Sequence, residues 1–264
     1  MNHQSVPLAV ENLRVGYGDR TVINDLNLHI ARGSFTAVVG PNACGKSTLL
    51  RALARVLPHQ AGRILLDGAE LASYSPRQIA QRVALLPQSA NAPDGLRVAD
   101  LVSRGRYPHR GMLRRWSAED EAAVHRAMAA TGVLGLSDRP VAELSGGQRQ
   151  RVWIAMTLAQ DTPVVLLDEP TTFLDLAYQV EVLELCTRLH AEGRTLVVVL
   201  HDLAQAARHA TDLLVLHDGR LSAAGPPAEV ITPLLVQQVF GVPSIVAPDP
   251  VTGTPAVFPE RLPG

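Results

Sequence analysis

A β-type run at residues 35–39 breaks directly into Gly-Pro-Asn-Ala-Cys-Gly-Lys-Ser at residues 40–47, and helix formers follow as far as Leu57. Few eight-residue segments restrict a fold so tightly. Glycine lets consecutive backbone N–H groups turn inward around an anion. A helix starting near Lys46 aims its positive dipole end at the same place. The segment satisfies G-x-x-x-x-G-K-[ST], which needs a strand before it and a helix after it. Gly40, Pro41, Asn42, Ala43, Cys44, Gly45, Lys46, Ser47 and Thr48 are therefore the expected phosphate cradle. Lys46 would bridge the β- and γ-phosphates of a bound nucleotide, and the Ser47 hydroxyl would ligate Mg²⁺. Cys44 reads as a small packing residue inside this loop. Composition sharpens the point: the 24 basic residues are 23 arginines and one lysine, Lys46. Ammonium and guanidinium are not interchangeable inside a tight loop.

A second chemical group lies at residues 163–170, Pro-Val-Val-Leu-Leu-Asp-Glu-Pro. An apolar strand here ends in two carboxylates, and successive residues at a strand end point in different directions. Asp168 suits Mg²⁺ binding, and Glu169 suits orienting and deprotonating an attacking water. Leu-Ser-Gly-Gly-Gln at residues 144–148 adds a second anion-binding helix start, with Ser145, Gly146, Gly147 and Gln148 as its expected contacts. An ordinary serine N-cap would explain that segment alone. It would not explain two phosphate-binding helix starts beside one lysine and one carboxylate pair. The economical solution is that this nest completes the site of a second chain.

Around these segments, continuous apolar strands at 164–167, 195–200 and 213–216 alternate with helices at 176–190 and 203–209, which predicts a parallel sheet covered on both faces. Residues 8–30 read as short strands, and 62–68 as a hairpin strand. Helical periodicity covers 98–104 and 118–130, the latter with a capping box from Ser117 and Asp120. The Pro-rich tail after Gly241 is expected to be loosely packed. The segment 104–116 holds five arginines, Tyr107 and Trp116 without an acid. It fits a surface facing a membrane subunit and anionic head groups, and an ordinary solvated loop fits as well.

The net charge of −1 argues against a nucleic-acid binder. Cys44 and Cys186 form no disulfide or zinc pattern. With no signal-like N-terminus or bilayer-length apolar run, the chain is expected to be soluble and cytoplasmic, with other subunits crossing any membrane.

The phosphate loop, the LSGGQ segment and the VVLLDEP segment, in this order and spanning roughly residues 8–240, resemble the ABC transporter ATPases. The resemblance implies a P-loop NTPase cassette of the α/β class. It has a mainly parallel core sheet and an N-terminal antiparallel β subdomain (about 1–88 and 161–240), an inserted helical subdomain (about 89–160) and a C-terminal extension (about 241–264). It implies that Tyr17 stacks on adenine, and that Gln88 senses Mg²⁺ and the membrane subunit. It also implies that Asp175 communicates across a dimer and that His201 contacts the γ-phosphate. The implied partners are a second copy of the chain, membrane-spanning permease subunits and, indirectly, a substrate-binding protein, at the cytoplasmic face of a membrane.

The segments 104–109, 151–160 and 171–179 resemble the iron-siderophore branch, which also includes vitamin B12 and haem importers; many relatives have histidine where Tyr178 stands. An exporter ATPase and a soluble ABC ATPase are the alternatives. A GTPase is excluded, because an Asn-Lys-x-Asp guanine reader would need a second lysine.

Overall fold

The computed structural model describes residues 7–88, 95–110, 116–172 and 174–260. The chain begins with strands β1 (Leu8–Tyr17), β2 (Arg20–Ile30) and β3 (Phe35–Val39), then helix α1 (Lys46–Leu53). Strands β4 (Ala61–Leu66) and β5 (Ala69–Glu70), helix α2 (Pro76–Ala80) and strand β6 (Val83–Leu86) follow. Three helices come next, α3 (Val98–Ser103), α4 (Ala118–Ala130) and α5 (Gly146–Ala159). Strand β7 (Val164–Asp168), helix α6 (Leu176–Ala191), strand β8 (Thr195–Val199) and helix α7 (Leu203–His209) then alternate. The last elements are β9 (Asp212–His217), β10 (Arg220–Gly225), α8 (Pro227–Val230), α9 (Pro233–Phe240), β11 (Ser244–Pro248) and β12 (Pro255–Pro259). They form two compact units. One comprises the described residues up to Ser73 and from Thr195 onward; the other is Tyr74–Arg194.

In the first unit, an antiparallel sheet has the order β2-β1-β4-β5. The short strands expected at 8–30 are two long ones, joined by a turn in which Gly18 has φ 55°. Register shifts along this pair mark bulges, and the Asn27 side chain accepts the Asn12 N–H at 2.8 Å beside one of them. Bulges let one strand stay paired while its pattern changes, so the polar interruptions at 11, 12 and 14 do not end it. Elsewhere in the unit β3 lies between β8 and β9, parallel to both, and β10 closes antiparallel on β9. Every residue of β3 and β8 is buried, as covering on both faces requires.

The tail departs from expectation. Three of its prolines, Pro248, Pro255 and Pro259, stand in β11 and β12, an antiparallel hairpin with Pro248 opposite Pro255 and Ser244 opposite Pro259. A two-strand ribbon has free edges on both sides, so proline costs it little pairing. The hairpin packs on α7, and Arg208 pairs with Asp249 at 3.0 Å. N–H groups of Thr252 and Val251, with Arg208, hold the Asp249 carboxyl down at about 2.

In the second unit, β6 and β7 pair in parallel, with Leu86 opposite Leu167. Helices α3, α4 and α5 pack on one another. The capping box at Ser117 is present: its hydroxyl accepts the Asp120 N–H, and Asp120 accepts the Ser117 N–H in return. The Arg-rich segment is less irregular and less superficial than its sequence implies. Residues Arg104–His109 form 3-10 turns, and Arg106 is buried with its guanidinium on Asp120 at 2.9 Å and on the Ala159 carbonyl at 3.0 Å. Arg114, Arg115 and the expected start of the helical insertion at Ser89 lie outside the described residues.

Burial raises the Asp120 carboxyl, but hydrogen bonds from Arg106 and Ser117 outweigh it and leave the group below its ordinary value. The stability it contributes is thus present above the unfolded carboxyl range and lost as pH falls. Asp120→Asn leaves a buried guanidinium without its counter-charge and is expected to destabilise the chain by about 3 kcal/mol. Urea unfolding at neutral pH measures this; a loss below about 1 kcal/mol would mean the pair is not holding these helices together.

Candidate functional site

Parallel pairing brings the chemistry of the first unit to one sheet edge. Val38 lies opposite Val199, and Val39 opposite Val215. The Leu200 N–H also bonds the Val38 carbonyl at 3.1 Å. The chain therefore leaves β3 into Gly40 beside the place where it leaves β8 into His201. Ligands gather at such carboxyl-terminal strand ends in parallel sheets.

Two glycines shape the loop. Gly40 has φ 149°, and a Cβ there would sit 2.1 Å from the Leu216 carbonyl oxygen and 2.9 Å from Cys44 Sγ. Gly45 has φ 109° and is the N-cap of α1, with no side-chain cap. The first-turn N–H groups of α1 are thus not consumed by a capping side chain, as an anion site needs. Ala43 takes φ 62° and keeps the left-handed turn that glycine adopts more easily. A further brace comes from the β9–β10 turn, where the Gly219 N–H bonds the Cys44 carbonyl at 3.2 Å.

Lys46 is 5% exposed, and its Nζ donates to the Gly40 and Pro41 carbonyls, each at 2.8 Å. An arginine fork would not fit between two carbonyls of one tight loop. Ser47 and Thr48 follow in the first turn of α1, Thr48 buried and Ser47 half-buried; Pro41 is half-buried, and Asn42 and Ala43 are exposed. At the end of β1, Tyr17 is 46% exposed, and its hydroxyl accepts from Arg51 at 3.3 Å. His201 is exposed and precedes Asp202, whose carboxylate caps α7 through the N–H groups of Ala204 and Gln205.

The second unit gathers its groups the same way. Because Leu86 and Leu167 pair, Gln88 and the Asp168–Glu169 pair leave adjacent strand ends. Asp168 is 1% exposed and Glu169 8%, while Gln88 is exposed. Glu169 has φ 53°, a left-handed conformation that a side chain of this size adopts at a cost. It is held there by Thr172, whose hydroxyl donates to Glu169 Oε2 at 3.2 Å and whose N–H bonds the Glu169 carbonyl at 3.3 Å.

Ser145 is the N-cap of α5. It accepts the Gln148 N–H at 3.2 Å, while the Gln148 side chain accepts the Ser145 N–H at 3.1 Å. Ser145 and Gly146 are exposed, and a Cβ on Gly146 would meet nothing within 4 Å. The helix start is thus open for a large anion. Asp175 caps α6 by accepting the Tyr178 N–H at 3.1 Å. Gln150 and Arg151 also reach the residues after Glu169, contacts whose sequence signal is no more than helical spacing, four residues beyond Gly146 and Gly147.

A glycine-rich strand-to-helix loop around a lone lysine, and a buried carboxylate pair at a strand end, define a nucleoside-triphosphate-binding protein. The profile of the family described as ABC transporter matches residues 23–172. The ferric enterobactin transport ATP-binding protein of Escherichia coli (strain K12) is 48% identical over 98% of this chain and 96% of its own length. A probable siderophore transport system ATP-binding protein of Bacillus subtilis (strain 168) is 50% identical over 96% of this chain and 92% of its own. A dimeric bacterial ABC transporter cassette superposes with a TM-score of 0.75 at 26% identity, covering 83% of this chain and 98% of that one. The chain belongs to the ABC transporter family, as an ATP-binding subunit that hydrolyses ATP. Its fold is the cassette fold, with a mostly parallel core sheet.

Both cysteines are buried. Burial raises the Cys44 thiol despite the opposing charge of Lys46, and it pushes Cys186 up to about 12. Since the thiolate is the reactive form, the folded chain should resist maleimide at pH 7, and both thiols should react once it is unfolded. Mass spectrometry of the adducts checks this; rapid labelling of Cys44 in the folded chain would contradict the packed loop described above.

Proposed function

We propose that this chain is the ATPase of an importer for iron–siderophore complexes, working at the cytoplasmic face of a membrane through permease subunits and, indirectly, a substrate-binding protein. The observation that carries the reading is the identity of about half of all residues, over nearly the whole chain, with siderophore transport ATP-binding proteins. Among the described residues no helix is long and apolar enough to cross a membrane, which fits a part that drives a pore made by other chains.

In this reading the first unit binds nucleotide. Lys46 and the loop N–H groups hold the phosphates, Tyr17 stacks on adenine, and His201 contacts the γ-phosphate. The second unit supplies hydrolysis: Glu169 orients and deprotonates water, and Gln88 reports to the permease. Ser47, Gln88 and Asp168 would hold Mg²⁺. The donors suit that ion: a hydroxyl, an amide and a carboxylate are hard oxygen ligands, and Mg²⁺ in phosphate sites takes few protein ligands. When bound, Mg²⁺ neutralises charge on the transferring phosphate.

Ser145, Gly146, Gly147 and Gln148 serve the nucleotide of a second copy, so that two chains close around two ATP. The parts assigned to these tasks are the core and β subdomain (about 1–88 and 161–240), the helical subdomain (about 89–160) and the extension (about 241–264).

Iron-labelled siderophore uptake tests the proposal in cells whose only copy is wild type, Lys46→Ala or Glu169→Gln. Wild type should import. Lys46→Ala should lose ATP binding and uptake. Glu169→Gln should bind ATP with near-normal affinity and lose turnover by about a thousandfold, the scale of removing a positioned base together with its electrostatic role. No wild-type uptake of siderophore, but uptake of haem or vitamin B12, would move the substrate assignment and leave the ATPase in place.

A further inference from the structure

Glu169 keeps a strained backbone, and strain of this kind persists only where the surroundings over-determine it. Thr172 supplies part of that restraint from within the same turn. The rest comes from α5. Gln150 Nε2 donates to the carbonyl of Pro170, the residue bonded to Glu169, at 3.3 Å. On the same face of α5, a Cβ on Gly147 would lie 3.3 Å from Leu174 Cδ2, so helix and turn are already in contact. One residue beyond Gln150, the Arg151 guanidinium stacks on the Tyr178 ring at 4.2 Å, at the start of α6. The Gln179 side chain then ties back to the Leu174 carbonyl at 3.0 Å. Pro170, Leu174 and Tyr178 are thus fastened to the first two turns of α5, the turns that carry Ser145, Gly146 and Gly147.

We propose that Gln150 is a positioning residue for hydrolysis: it fixes the Pro170 carbonyl and so keeps the Glu169 backbone left-handed with its carboxylate aimed for catalysis. The inference rests on Glu169 being the base. The donor is necessary because proline has no N–H with which to anchor the turn, leaving the Pro170 carbonyl as the polar handle of that residue.

The test is steady-state ATP hydrolysis by the purified 264-residue chain, as wild type, Gln150→Met, Gln150→Asn and Glu169→Gln, with melting temperatures measured alongside. Methionine keeps the length and packing of glutamine without its donor, and asparagine keeps the amide but is one methylene short. Both are expected to lower kcat about tenfold, the scale set by releasing one left-handed residue. The KM for ATP should stay within about twofold and the melting temperature should not change, because the contact acts on the base and not on nucleotide binding. Unchanged kcat in both variants, beside an inactive Glu169→Gln, would overturn the positioning role alone. A fall in kcat accompanied by a raised KM and a lower melting temperature would overturn it too, marking Gln150 as a packing residue. Normal turnover by Glu169→Gln would instead remove the base assignment, and this inference with it.

Discussion

In-register parallel pairing is the constraint from which the rest follows. Three strands of the first unit, β8, β3 and β9, run the same way with Val199, Val38 and Leu214 at matching heights. A loop that begins at Gly40 and a loop that begins at His201 must then start side by side. The second unit repeats the device with β6 and β7, which places Gln88 near the Asp168–Glu169 pair. Strands β3, β7 and β8 are buried along their whole length, so close packing of their valine and leucine rows holds the register. The hydrophobic core thus sets where the polar chemistry appears, without taking part in it.

Within that frame, backbone conformation does much of the chemical work. Gly40 can approach Leu216 only because it lacks a side chain. Gly45 opens α1 without consuming its N–H groups in a side-chain cap. Glu169 is the opposite case: a large side chain in a glycine-like conformation, kept there by Thr172 and the turn around it. Left-handed residues other than glycine occur in both units, Ala43 in the first and Glu169 in the second.

Much of this was legible in the sequence, and for local reasons. Helix α4 begins and ends where Ser117 and the Ala-rich run place it, because a capping box fixes a start within a few residues. The buried strands 164–168 and 195–199 announce themselves as unbroken apolar runs. What could not be read depends on distant partners. Arg106 looks like one of several surface arginines until Asp120 and the Ala159 carbonyl are seen against it. The proline-rich tail looks loose because composition does not reveal that Pro248 and Pro255 fall opposite one another in a ribbon. Gln150 carries no signal beyond helical spacing, since its partner is a backbone carbonyl twenty residues away.

The central claim is that one chain holds two incomplete phosphate sites and that a second copy completes both. Sedimentation of the Glu169→Gln chain, with and without Mg·ATP, tests this most directly, because blocked hydrolysis lets the closed state accumulate. The account predicts single chains without nucleotide, and with it pairs that hold two ATP. It predicts further that Ser145→Arg, which fills the open helix start with a bulky side chain, leaves ATP binding to each chain intact but prevents pairing. Chains that bind one ATP each and remain single at saturating nucleotide would contradict it.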